Sequence, residues 1–166
     1  MEHLEYSQQV HRDASELLEL TKIIDIFSEF GSVEIVGSYP TELMWDPDID
    51  LTVVTSTPEE SAKAALAKLA EQNTFQKLEF GDFKNFPRKN RPASFIVNAR
   101  REWNGKVWEI ETWFLESADE KLELVKKLKA MNSETREKII LEKKIRSESG
   151  DTKHDISSFD IYQKYF

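Results

Sequence analysis

Apolar residues recur every three or four positions over the first thirty residues, which predicts a helix from Glu5 to Phe30. Its apolar stripe consists of Val10, Ala14, Leu17, Leu18, Ile24 and Phe27. Gly31 and Ser32 are expected to end this helix. Two short runs rich in β-forming residues follow, over residues 33–37 and 49–55, and both are predicted to be strands.

The pattern then predicts a helix and further strands. Thr57 and Glu60 have the spacing of a capping box, so a helix should begin there and run to about Glu71. A strand with weaker alternation is expected over residues 74–80. Residues 93–101 and 106–115 flank Asn104-Gly105, which is the strongest short hairpin signal in the chain.

The C-terminal third is predicted to be helical. A second capping box covers residues 117–120, Asn132 or Ser133 can start the next helix, and Gly150 can end it. A short helix is expected from about Ser157. The element order predicts an α/β or α+β fold with a mixed sheet of four to five strands and flanking helices, followed by C-terminal helices, and not a doubly wound parallel sheet.

Composition limits the chemistry, the cellular location and the partners that can be expected. The chain of 166 residues has no cysteine, which excludes disulfides, thiolate zinc sites and a cysteine nucleophile. Together with an N-terminus that does not resemble a signal peptide, this favours the cytoplasm. No apolar run approaches the roughly 20 residues of a membrane span. The net charge of -8 disfavours nucleic acid as a partner and suits a cationic small molecule, although a well-solvated surface alone would also explain it.

Candidate chemistry lies at the ends of the first two strands. Gly37-Ser38 follows the first strand, where glycine lets a ligand approach the backbone. Asp48 and Asp50 stand two apart at the start of the second strand, so both carboxylates should project from one face. Their repulsion would be relieved by a hard cation such as Mg²⁺. The alternative is an edge strand that begins with solvated acids.

The combination of Gly37-Ser38 with Asp48 and Asp50 resembles the signature of the DNA polymerase beta-like nucleotidyltransferase superfamily. The resemblance covers about residues 15–115, and it implies a catalytic domain over residues 1–115 with a helical extension over 116–166. It also implies two Mg²⁺ ions and a nucleoside triphosphate, with ATP expected. Ser38 and nearby amides would hold the β- and γ-phosphates while a nucleoside monophosphate passes to an acceptor hydroxyl.

The same resemblance implies a third carboxylate on a later strand. Glu109 and Glu111 lie within an otherwise apolar strand, where ionised acids are costly unless they are paired or bound to metal. Glu111 is the choice, with Glu109 as its substitute, because Ile110-Glu111-Thr112 has the better hydrophobic-acid-small pattern. The family usually has aspartate here. A glutamate could weaken one metal or serve as general base, and both glutamates could instead line a solvated face.

The predicted function is therefore a metal-dependent nucleotidyltransferase with a small hydroxylated acceptor, such as an aminoglycoside-like molecule. Nucleic acid and membrane partners are not expected, and the oligomeric state is left open. The alternative is a catalytically weak or inactive binding or partner module of the same fold. No arginine or lysine closely follows Ser38, where many small family members carry a basic residue, and this observation favours the alternative.

The remaining polar clusters are assigned no chemistry. The basic loop over residues 86–91, the Arg100-Arg101 pair and the basic run over residues 143–146 are interpreted as solvated. Trp45 either stacks on a base or fills a crevice. The histidines, among them His154, lack the spacing of metal ligands.

Overall fold

A mixed five-stranded sheet forms the centre of the protein. The computed structural model describes residues 2–89, 91–151 and 155–166. The strands are β1 (Ser32–Val36), β2 (Asp48–Val54), β3 (Lys77–Asp82), β4 (Phe95–Trp103) and β5 (Lys106–Leu115). Their order across the sheet is β1-β2-β5-β4-β3. Only β2 and β5 pair in parallel, and the other three pairs are antiparallel.

Six α-helices are found in the described part of the chain. They are α1 (Glu2–Thr21), α2 (Ile23–Ser28), α3 (Pro58–Gln72), α4 (Asp119–Lys129), α5 (Ser133–Glu148) and α6 (Ser158–Tyr162). Short 3₁₀ turns span Tyr39–Thr41 and Gln163–Tyr165. The predicted α+β class, with a mixed sheet and C-terminal helices, is confirmed. Within the described ranges, no helix combines the length and apolarity needed to cross a bilayer.

The first helix is broken where the sequence predicted one continuous element. Lys22 adopts a left-handed conformation with φ of 52°, and it separates α1 from α2. Leu18 and Ile23 are both buried but five residues apart, a spacing that an unbroken helix cannot keep on one face. The single left-handed residue changes the rotation of α2 relative to α1, so that Ile23 and Phe27 also reach the core.

Two of the predicted helix caps differ from the structure. The Thr57 side chain makes no capping bond and lies 3.2 Å from the Ser61 hydroxyl instead. Helix α4 begins after Ala118, although the Ser117 hydroxyl does accept from the Asp119 amide. Both boxes fail because the serine or threonine hydroxyl finds another nearby partner.

The other local signals are confirmed. Asn132 caps α5 by accepting from the Thr135 amide at 2.8 Å, and a full capping box starts α6 at Ser157. Asn104 and Gly105 have φ of 47° and 73°, as the tight turn between β4 and β5 requires.

Each face of the sheet carries a different kind of side chain. Alternate residues of β2, namely Ile49, Leu51 and Val53, are buried in a core formed with α1, α2 and α3. The residues between them face the opposite side, which carries the candidate acids. A second apolar cluster joins the C-terminal helices to the loop between β1 and β2, and it consists of Leu43, Leu128, Ile139, Ile140, Ile161 and Tyr162. The division into a catalytic domain over residues 1–115 and a helical extension over residues 116–166 stays a prediction.

Asp13 links α1 to the hairpin tip. Its carboxylate accepts from Gln9 at 2.9 Å, from Asn104 at 3.1 Å and from Lys106 at 3.1 Å. Burial raises the pKa of Asp13, but the three hydrogen bonds and the Lys106 charge outweigh it, so the pKa lies below its usual value. The ionised form is therefore the one that the fold stabilises.

We expect Asp13→Asn to lower the free energy of unfolding at pH 7 by about 2 kcal/mol, the scale of a hydrogen bond to a charged group. Because the folded pKa is depressed, this stability is present above the unfolded pKa and is lost as the pH falls through the folded pKa. Urea unfolding of both proteins at several pH values would measure it. Asp25→Asn, at an exposed position of α2, is the control. A pH-independent difference would contradict the assignment.

Candidate active site

Four carboxylates meet on one face of the sheet where β2 runs parallel to β5. Asp48 is paired with Glu109 and Asp50 with Glu111 in the strand register. Side chains of paired residues project from the same face, so the four acids form two adjacent rows. Each is half-buried, while the residues between them, such as Ile49 and Ile110, are buried on the other face. The sequence predicted that each acid pair shares a face, and the register brings the pairs together.

Gly37 lies directly against Asp50. Strand β1 ends at Val36, which pairs with Asp50, and Gly37 then adopts a φ of 70°. A β-carbon at residue 37 would lie 2.2 Å from Oδ2 of Asp50, so only glycine leaves room for this carboxylate. The contact places Ser38 next to the acid face.

Basic and amide side chains hold the two glutamates. Glu111 accepts from Arg91 at 2.7 Å, while Glu109 accepts from Asn98 and, at 3.2 Å, from Arg100. In the part of the chain that the structure describes, no group of three Asp, Glu, His or Cys side chains is placed to hold one metal ion. The four acids therefore share a face without forming a three-carboxylate metal centre, and the assignment of Asp48, Asp50 and Glu111 as ligands stays a prediction.

Lys121 on α4 reaches the same face, and sequence reasoning missed it. Its Nζ lies 4.4 Å from the centre of the Trp113 ring, and the Arg91 guanidinium lies 5.0 Å from that ring. Burial lowers the pKa of Lys121, the charges of Asp50 and Glu111 raise it in part, and Arg91 lowers it. The net effect is a pKa below its usual value. No pattern in the sequence marks Lys121, because it is one of several lysines on a mixed helix.

Ser38 is bound to a buried lysine. Lys143 of α5 is 1% exposed and donates to Ser38 Oγ at 2.8 Å, to Tyr162 Oη at 2.9 Å and to the Leu43 carbonyl at 2.7 Å. The Ser38 and Tyr162 hydroxyls are also 2.9 Å apart. All three acceptors are neutral oxygens, so these hydrogen bonds do not themselves bring a negative charge to the ammonium group.

Helix α5 holds the loop between Gly37 and Asp48. Arg136 donates to the Thr41 carbonyl, and Arg146 pairs with Asp46 while donating to the Ile156 carbonyl at 3.1 Å. With Lys143, these side chains lie on one helix face. The interpretation of residues 143–146 as solvated is wrong for Lys143 and Arg146, since Arg146 is only 4% exposed. The sequence carries a signal of this burial, because Lys143 and Arg146 lie on the same helix stripe as Ile139 and Ile140, where a solvated base is not expected.

Other residues that were interpreted as solvated also make contacts. Arg91, in the basic loop, pairs with Glu111, and Arg100 pairs with Glu109 at 3.2 Å. Arg101 donates to the Thr74 carbonyl. Trp45 packs on the second apolar cluster with its ring 4.5 Å from that of Tyr6, so it fills a crevice. His154 lies outside the described residues.

Comparison with known proteins supports the fold. No protein-family model matches the chain, and no curated protein sequence matches it. A solved structure entitled "structure of GLD-2/RNP-8 complex" is similar, with a TM-score of 0.58 and 10% sequence identity. The match covers 96% of this chain but 58% of that chain, so the protein spans little more than half its length. At this identity the likeness shows the fold alone, a mixed sheet with flanking helices.

Proposed function

We propose that the protein is a metal-dependent nucleotidyltransferase that moves a nucleoside monophosphate from a nucleoside triphosphate to a hydroxyl of a small acceptor. The observation that carries this proposal is the packing of Gly37 on Asp50 beside the paired acids of β2 and β5. The likeness to the GLD-2/RNP-8 structure agrees with the proposal at the level of the fold alone. The net charge of -8 favours a cationic acceptor such as an aminoglycoside-like molecule.

Asp48 and Asp50 are the proposed metal ligands, with Glu111 or, as its substitute, Glu109 in third place. Magnesium usually takes one or two carboxylates together with substrate phosphates, so the donor set fits even without three assembled acids. When bound, such an ion would neutralise phosphate charge and lower the pKa of the acceptor hydroxyl. Glu111 would have to exchange Arg91 for the ion in order to take part.

Ser38 and Lys143 are proposed to bind the terminal phosphates of the triphosphate. The Ser38 hydroxyl and the Lys143 ammonium are already in contact, and a phosphate would supply the anion that the neutral acceptors of Lys143 do not. Tyr162 can donate a further hydrogen bond from the same place. In the reaction, the acceptor hydroxyl gives its proton to water and its oxygen forms a bond to the α-phosphorus, while the bond from that phosphorus to the leaving pyrophosphate breaks.

A binding module without turnover is the second candidate. It is favoured by the engagement of Glu111 with Arg91 and of Glu109 with Arg100, which takes both glutamates out of any shared metal site. In this case a nucleotide would bind through Ser38, Lys143 and the aspartates, and no pyrophosphate would form.

Thermal unfolding with each of the four nucleoside triphosphates, with and without Mg²⁺, tests the proposal. We expect a Mg²⁺-dependent rise of the midpoint, since a ligand at a hundredfold excess over its dissociation constant stabilises the native state by about 2.7 kcal/mol. No shift with any triphosphate at millimolar concentration would contradict both candidates. Release of pyrophosphate with hydroxylated acceptors then separates the enzyme from the binding module.

A further inference from the structure

Two cations from separate segments lie close to the Trp113 ring, beside the acid face. Lys121 comes from α4, and Arg91 comes from the loop that precedes β4. Their charged groups lie 4.4 Å and 5.0 Å from the centre of the same indole ring. Trp113 is two residues beyond Glu111 on β5, so its ring projects from the face that carries the acids.

Two positive charges beside one ring repel each other, and anions beside them offset this repulsion. Glu111 fills this role for Arg91 at 2.7 Å, and the charges of Asp50 and Glu111 act on Lys121. Asp50 and Glu111 are also proposed ligands of the divalent ion. If an ion neutralised their charge, Arg91 and Lys121 would lose their counter-ions, and another anion bound in the same place would replace them.

We propose that Arg91 and Lys121 bind a phosphate group of the incoming nucleoside triphosphate, on the Glu111 side of the site and away from Ser38. This inference rests on the proposed function. An arginine and a lysine suit this ligand, since guanidinium groups pair with phosphate oxygens in a bidentate manner and ammonium groups act as point charges. The indole ring holds both cations near the acids before the nucleotide arrives.

The assignment gives the C-terminal helices a part in substrate binding. Lys121 lies on α4 and Lys143 on α5, so each helix contributes one base to the triphosphate from a different side of Asp50. Arg91 lies in the loop between β3 and β4, so this loop would respond to nucleotide binding through Glu111.

The test is the affinity of the full chain for an α,β-methylene analogue of ATP, measured by calorimetry with Mg²⁺. This analogue cannot transfer its nucleotide, so the readout is independent of turnover. We expect Lys121→Met and Arg91→Gln each to raise the dissociation constant at least tenfold, as the loss of one charge-assisted bond to phosphate predicts. Lys121→Arg, which keeps the charge, should restore most of the affinity.

Matched controls use bases from the same segments. Lys126→Met changes an exposed lysine of α4, and Arg88→Gln changes an arginine of the same loop whose guanidinium lies 5.2 Å from the Phe83 ring. Both controls should bind within about twofold of the unchanged protein. Inorganic tripolyphosphate is the second probe. If Arg91 and Lys121 recognise only the phosphate groups, the same two variants should bind tripolyphosphate more weakly than the unchanged protein does.

Two outcomes are decisive in different ways. If the unchanged protein binds the analogue and both variants bind it equally well or more tightly, Arg91 and Lys121 are only counter-ions of the acids, and this inference fails while the proposed function stands. If the unchanged protein binds neither probe, the proposed function itself fails. Thermal unfolding without nucleotide checks that each variant is folded, and Lys121→Gln replaces Lys121→Met if the latter is not.

Discussion

Replacing Asp50 with asparagine is expected to reduce nucleotidyl transfer by a hundredfold to a thousandfold or more, the scale on which single charge-stabilising groups contribute to catalysis. Asparagine has the shape of aspartate, so the packing against Gly37 is kept. The negative charge that would face the metal and the triphosphate is lost. The loss of function should therefore come without a loss of the fold.

Stability provides an independent check on this variant. Asp50 lies on one face with Asp48, Glu109 and Glu111, and like charges at such spacing repel. Removing one of them relieves repulsion among the acids but also removes a negative charge that acts on Lys121, so the unfolding midpoint without ligands should stay close to that of the unchanged protein. Addition of Mg²⁺ and nucleotide should then raise the midpoint of the unchanged protein and not that of Asp50→Asn.

Pyrophosphate release with a panel of small hydroxylated acceptors measures the transfer itself. Glu116→Gln is the matched control, because Glu116 is an exposed acid directly beyond the end of β5. The same assays on Glu111→Gln and Glu109→Gln would show which glutamate is the third carboxylate. If Asp50→Asn kept the Mg²⁺-dependent shift of the unfolding midpoint, the assignment of Asp50 as a metal ligand would be wrong.

The fold was predictable where its signals are local. The Asn104-Gly105 turn, the Asn132 and Ser157 caps and the alternation along β2 each depend on neighbouring residues, and the structure confirms them. The break at Lys22 was not predictable from the apolar stripe. A left-handed lysine is locally unfavourable, and the burial of both Leu18 and Ile23 in the core helps to compensate for it.

The candidate site was predictable in part, for a related reason. Alternation alone indicates that Asp48 and Asp50 share a face, but β2 and β5 are more than fifty residues apart, and their register is a tertiary property. The same holds for Lys121 and Arg91, which reach Glu111 and Trp113 only through the fold. Lys143 is different, since a base on the apolar stripe of α5 is a visible signal of a buried role.

Lys143 offers a prediction that separates folding from binding. Lys143→Ala should lower the free energy of unfolding by about 3 kcal/mol or more, since it leaves a cavity and removes the donor from three buried oxygens. Lys143→Met should cost less, because methionine refills most of the volume. The Ser38 and Tyr162 hydroxyls can still bond each other, and only the Leu43 carbonyl loses its donor.

Nucleotide affinity is expected to fall at least tenfold in Lys143→Met, despite its stable fold. Methionine cannot supply the charge that the triphosphate would meet beside Ser38. Chemical unfolding and calorimetry with the α,β-methylene analogue measure the two effects. Lys144→Met is the control, since Lys144 is the next residue and pairs with Glu148 at 3.6 Å on the outer side of α5. If Lys143→Met bound nucleotide as tightly as the control, Lys143 would serve only to hold the C-terminal helices on the loop that carries Ser38.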